Sequence, residues 1–149
     1  MRRTVALTIA FVFLLIACSD GKGDQSYGTP RQADAIAAEW LSALVSGSPD
    51  RGWSLLHPLA QDRLYSGDPS AYVAEVTAIG WTQFRWAIQS PTVWDGNYLV
   101  TIAVPGDKAP ADELANGRLI QLFDSDDGTQ KAAITVRFDA SGSRGILGP

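Results

Sequence analysis

The stretch Tyr72–Ser90, YVAEVTAIGWTQFRWAIQS, changes its hydrophobic period at Gly80. Before the glycine, Tyr72, Val73, Val76 and Ile79 recur at spacings of three and four, the stripe of an amphipathic helix. After it, Phe84, Trp86 and Ile88 alternate with Arg85, Ala87 and Gln89, the period of a strand with one buried face. Gly80 supplies the left-handed residue that commonly ends a helix. Everything upstream of this switch reads as helix and everything downstream as strand.

Upstream, Thr29-Pro30, Ser48-Pro49 and Asp68-Pro69 repeat one helix-start pattern. A side-chain oxygen caps free N–H groups, and proline takes the first helical position, where its missing donor costs nothing. The first helix, Pro30 to about Ser46, carries Ile36, Trp40 and Leu44 beside Ala37, Leu41 and Val45, and ends at Gly47. A shorter second helix turns Trp53, Leu55 and Leu56 inward and stops at His57-Pro58, with LAQDRLY adding a further turn. The third runs from Pro69 to about Ile79.

Downstream, Asp95-Gly96 is a hairpin dipeptide, followed by Tyr98, Val100, Ile102 and Val104 alternating with Leu99, Thr101 and Ala103. Pro105 to Gly117 reads as a loop, Arg118 to Phe123 as a central strand and DSDDGT as a turn. Ala132, Ile134, Val136 and Phe138 form the last alternating run. Helices first and strands afterwards predict an α+β domain, with N-terminal helices packed on an antiparallel sheet of about four strands.

The N-terminus carries a different signal. Arg2 and Arg3 precede a run, Val5 to Ala17, that is apolar except for Thr8. The run is short of the about 20 residues of a membrane span and fits a signal-peptide core. It ends on the only cysteine of the chain. Leu15-Ile16-Ala17-Cys18 resembles a bacterial lipobox, with a branched apolar residue three before the cysteine and a small one directly before it. That resemblance implies a diacylglyceryl group on the Cys18 sulfur and cleavage before Cys18. Two or more acyl chains anchor stably where one does not. The chain then divides into a signal peptide, residues 1–17, a lipidated cysteine and Gly/Ser/Asp-rich tether, residues 18–29, and one domain, residues 30–149. The expected location is the outer face of a bacterial cell membrane.

Loss of residues 1–17 leaves 10 basic against 16 acidic residues, a formal charge of −6. An acidic chain without a basic stripe argues against nucleic-acid partners and against electrostatic docking on anionic lipid. With Cys18 acylated no thiol remains for a disulfide, so the fold is expected to hold by packing alone.

Three N-terminal helices followed by a curved antiparallel sheet resemble the NTF2-like, or cystatin-like, cone fold. The stretch AAEWLSALVSGSPDRGWSLLHP is also similar to exported lipoprotein members of that superfamily. The resemblance covers about Pro30 to Leu147 and implies a cone with a concave apolar interior. The superfamily has no diagnostic motif, so no functional residue is carried over.

Enzymes of that superfamily, such as ketosteroid isomerases and polyketide cyclases, place an acid or histidine, often with a tyrosine, in the apolar cone. Here Asp50, Asp68, Asp95, Asp107, Asp112, Glu113, Asp124, Asp126, Asp127 and Asp139 fall in expected caps, turns or loops. Asp34, Glu39, Asp62 and Glu75 fall in helices, and no acid falls in an expected strand. His57, the single histidine, sits at an expected helix C-terminus, where a hydrogen-bonding or cationic side chain is favoured anyway. DSDDGT departs from the calcium-loop pattern at its fifth position, Gly128, and its twelfth, Thr135. One histidine and one acylated cysteine rule out a His/Cys zinc cluster. No phosphate-binding glycine loop and no nucleophile elbow is present, so no cofactor or metal is expected.

His57, Tyr65 and Trp86 are the candidates for lining a cone cavity. Arg85, Arg137, Thr101, Thr135, Gln89 and Gln121 take the opposite strand positions and mark a solvent or partner face of the sheet. The leading expectation is a non-catalytic binding module, held at the membrane by its lipid, for a small apolar ligand or a protein partner. The alternative is a cone-pocket isomerase, cyclase or dehydratase. A third expectation is homodimerisation through the sheet.

Overall fold

The computed structural model describes residues 27–81, 86–103, 118–124 and 130–148. The signal segment, Cys18, Phe84, Arg85, residues 105–117 and most of the DSDDGT turn lie outside the described residues.

Four helices come first: α1 (Pro30–Val45), α2 (Pro49–Ser54), α3 (Pro58–Tyr65) and α4 (Pro69–Ile79). Proline opens each one. Thr29 and Gln32 form a reciprocal capping box on α1, and the Asp68 carboxylate accepts from the Ser70 N–H on α4. Ser48 stands at the N-cap of α2, but its side chain makes no capping bond. The fourth start was read as a stop in the sequence. His57-Pro58 does not end the second helix; it opens α3, with the imidazole in the capping place. The chain leaves α3 and α4 through left-handed residues at Ser66 and Gly80.

The strands are β1 (Ala87–Ile88), β2 (Thr92–Trp94), β3 (Asn97–Ala103), β4 (Gln121–Asp124), β5 (Gln130–Phe138) and β6 (Arg144–Ile146). All pair antiparallel in one sheet along the path β1-β3-β5-β4, with β2 also on β3 and β6 also on β5. The expected four strands are that path, although β1 is cut to two residues and Trp86 precedes it. The short β2 and β6 are additions. Asp95 and Gly96, both at positive φ, turn β2 into β3. Asp124 is the last residue of β4, which corrects the expectation that no acid enters a strand.

The sheet curls as a half-barrel against the helices, and the result is a cone-like α+β fold. Trp40 and Tyr72 from the helices meet Val100, Ile102, Ile134, Val136 and Ile146 from the sheet, all fully buried. β5 is covered on both faces: Thr135, expected on an open face, is buried, and so is Ala133. Leu56 bridges Ile146 in parallel, through Ile146 N–H to Leu55 O (2.9 Å) and His57 N–H to Ile146 O (2.8 Å). That bridge covers the outer edge of β6 with the linker between α2 and α3. Gly145 makes the approach feasible, because a Cβ there would stand 2.5 Å from the His57 nitrogen.

Candidate functional site

His57 is 1% exposed, caps α3 and donates its backbone N–H to Ile146 O of β6. The residue before a proline is pushed to extended backbone, and His57 has φ −63° and ψ 141°. That conformation turns Nδ1 back over α3, where it accepts the Leu59 N–H at 3.2 Å. Acceptance at Nδ1 places the proton of the neutral ring on Nε2. Nε2 lies 3.1 Å from Asp139 Oδ2, a close polar contact but off the line a hydrogen bond requires. Asp139 Oδ1 in turn accepts from Arg137 Nε at 2.6 Å. Burial lowers the imidazole pKa from its ordinary value near 6.5; Asp139 opposes that shift and Arg137 adds to it. The Arg137 hydrogen bond holds the Asp139 carboxyl below its usual range. The trio is therefore a neutral ring beside an ion pair.

Tyr65, 3% exposed at the end of α3, belongs to a second network. Its hydroxyl donates to Glu75 Oε1 at 3.0 Å. Glu75 also accepts the Arg118 N–H at 2.9 Å, and Arg118 Nε stands 3.3 Å from its other oxygen. The Arg118 guanidinium lies over the Tyr65 ring, 5.5 Å from its centroid, and donates to Leu64 O. Burial, then the Glu75 charge, pushes the Tyr65 phenol well up, so it remains a donor across the working pH range. By sequence alone Glu75 is an ordinary helical acid. Its side chain is only 15% exposed, and its position directly before Val76, on the edge of the buried stripe, was the available signal.

Trp86 stacks on Trp81 with ring centroids 4.8 Å apart, and Trp81 meets the edge of Trp40 at 5.4 Å. Trp40 Nε1 donates to the Tyr72 hydroxyl at 3.1 Å, and Tyr72 packs in turn on Tyr65 and Trp53. The aromatic side chains thus run as one connected layer between helices and sheet. His57 and Tyr65 are not brought together; each serves a separate network.

The clefts among the described residues include three that bear on the candidates. One of about 220 Å³ is bounded by Leu44, Pro49, Val76 and Trp81. Another, of about 10 Å³, lies between Glu75, Trp81 and Leu119. The largest, about 360 Å³, separates the first half of α1 from β6 and is lined by Gln32, Ile36, Glu39, Leu55 and Arg144. None of the three is lined by His57, Tyr65 or Trp86. Among the described residues no group of three or more His, Cys, Asp or Glu could hold a metal ion. No described helix is long and apolar enough to cross a membrane.

Chemically, the Nδ1 lone pair of His57 and the hydroxyl of Tyr65 are committed. His57 caps a helix with one nitrogen and faces a carboxylate with the other. The Tyr65 hydroxyl donates its hydrogen bond to Glu75. Comparison of the chain with protein-family models, with curated proteins and with solved structures finds no match.

Proposed function

We propose that this chain is an exported bacterial lipoprotein, anchored through Cys18, whose NTF2-like domain acts as a non-catalytic binding module for a ligand or a protein partner. The observation that carries this reading is the engagement of His57 and Tyr65 by internal partners, His57 by the Leu59 N–H and Asp139, Tyr65 by Glu75. A general base needs a free lone pair within reach of a substrate proton. In its neutral form His57 has one lone pair, and the Leu59 N–H takes it. The lipobox supports the anchor, and the Gly/Ser/Asp-rich segment after it supports a tether.

The test is intact-mass analysis of the full chain recovered from bacterial membranes, beside Cys18→Ala. A chain starting at residue 18 with a diacylglyceryl mass on the cysteine, and release of the variant from the lipid-anchored fraction, are expected. An unmodified cysteine would overturn the anchor.

One observation favours a second reading, a cone-pocket isomerase, cyclase or dehydratase: a largely buried acid, Glu75, holds a tyrosine hydroxyl. Native mass spectrometry of residues 24–149 tests for a bound molecule. A defined extra mass lost on denaturation supports a cone ligand, whose identity then points to cargo or substrate; the bare chain mass weakens both the enzyme and the cargo readings and favours a protein partner.

A further inference from the structure

We infer that the α1–β6 side of the domain is the surface that meets the membrane, taking lipid phosphate groups on Arg144 and Arg31 with Tyr27 set into the interface. The inference rests on the lipid anchor at Cys18 proposed above.

The point at which the tether joins the fold is fixed. The Gly28 carbonyl accepts the Tyr98 hydroxyl at 2.7 Å, and a Cβ on Gly28 would fall inside the Phe138 ring. Phe138 pairs directly opposite Arg144, and directly opposed residues share a sheet face. Arg144 therefore projects on the side where the tether arrives, and it lines the 360 Å³ cleft against Gln32 and Ile36. Gly28 lies ten Cα–Cα steps after Cys18, a reach of at most about 36 Å. Tethering makes contact with the bilayer intramolecular, so weak surface contacts become populated.

The chemistry of this side fits phosphate. Arg31 and Arg144 are both exposed, and neither has an acidic partner among the described residues. Glu39, the acid in the cleft, is taken by Arg51 at 2.9 Å. Arg31 also stands in the first turn of α1, where the helix dipole disfavours a cation, so the helix gives no reason for it. A guanidinium matches phosphate oxygens in a bidentate fork. Tyr27, 60% exposed beside the tether, has the amphipathic ring that settles at a lipid–water interface.

Charge elsewhere favours the same orientation. Ala103 and Asp124, the last described residues before segments 104–117 and 125–129, lie at the strand ends opposite Tyr98 and Phe138. Those two segments carry a net charge of −4 out of the −6 of the chain from Cys18 onward. Outside those two segments the chain from Cys18 carries a net charge of only −2, so less repulsion opposes approach of the arginine side to a bilayer with anionic lipid. The net acidity noted from composition is thus an average that hides a local exception. Asp34 and Asp95 are exposed near this end too, so the contact is directed by Arg144 and Arg31 rather than by net charge.

The test uses the chain from Cys18, its thiol coupled to a maleimide lipid in nanodiscs of phosphatidylcholine and phosphatidylglycerol that contain a gadolinium-chelate lipid. Amide broadening is read by NMR. Both Arg144 and Asp95 sit at the tether end, so a freely swinging domain broadens them alike. The expected result is broadening at Arg144 about threefold stronger than at Asp95, lost in Arg31→Glu/Arg144→Glu with the melting temperature unchanged. Equal broadening in the unaltered chain, or a bias that survives charge reversal, would overturn the inference. Because the coupling is chemical, its outcome is separate from whether cells acylate Cys18.

Discussion

His57 Nε2 and Asp139 Oδ2 stand 3.1 Å apart, joining the start of α3 to the end of β5 across 82 positions of sequence. The contact binds a helix cap and a strand end into one unit. Protonating His57 would strengthen the attraction to Asp139 but abolish the lone pair that accepts the Leu59 N–H.

That trade gives a pH dependence with a definite sign. The folded imidazole pKa lies below the unfolded value near 6.5, so the folded state binds fewer protons. Its contribution is complete above that value and is lost as pH falls through the folded pKa. The melting temperature is expected to drop between about pH 7.5 and pH 5. In His57→Asn, which keeps a capping acceptor without a titrating group, that slope should flatten. An unchanged slope in the variant would assign the effect to another group.

Gly52 and Tyr72 compete for one space. A Cβ on Gly52 would overlap the Tyr72 hydroxyl that accepts from Trp40. Gly52→Ala is expected to cost about 1–3 kcal/mol through overpacking. Tyr72→Phe is expected to cost a similar amount, about 1–3 kcal/mol, by leaving the Trp40 N–H unsatisfied. In the double variant the overlap is gone, so urea unfolding should give a total below the sum by about 1 kcal/mol.

The phenols of Tyr65 and Tyr72 are both pushed up chiefly by burial. A raised folded pKa means that stability is present below the unfolded value, about 10, and is lost as pH rises past it. In an ultraviolet titration at alkaline pH, Tyr65 and Tyr72 should ionise only together with unfolding, with Tyr65→Phe and Tyr72→Phe assigning their shares of the signal. Ionisation of Tyr65 or Tyr72 with near-ultraviolet circular dichroism intact would contradict this packing.

The helix caps make a paired comparison. Asp68 makes its bond to Ser70 and Ser48 makes none. Asp68→Ala should cost about 1 kcal/mol, and Ser48→Ala no more than a few tenths, in matched denaturant curves.

Much of this fold could be read from punctuation. The proline pairs at Pro30, Pro49 and Pro69 and the glycine at Gly80 mark helix limits because they act through local backbone sterics. His57-Pro58 carried the same mark, yet a search for a capping oxygen overlooks an imidazole nitrogen in that role. β6 was invisible for another reason: Arg-Gly-Ile has no alternation to show, and it is a strand because Leu55 to His57 and β5 close on either side of it. The candidate site was legible only as residue types. His57 and Tyr65 stood out in the sequence, but Asp139 and Glu75 take their roles from partners brought together by folding.

The attachment of Gly28 also sets how the domain bears load. A pull along the chain from its N-terminal side reaches Gly28 before α1, and there it meets the Tyr98 hydroxyl on β3 and the Phe138 ring on β5. Force therefore enters at the two longest strands, which are paired with each other over six residues, instead of peeling the first helix away turn by turn. Such a pull is borne first by the sheet, before α1 is loaded.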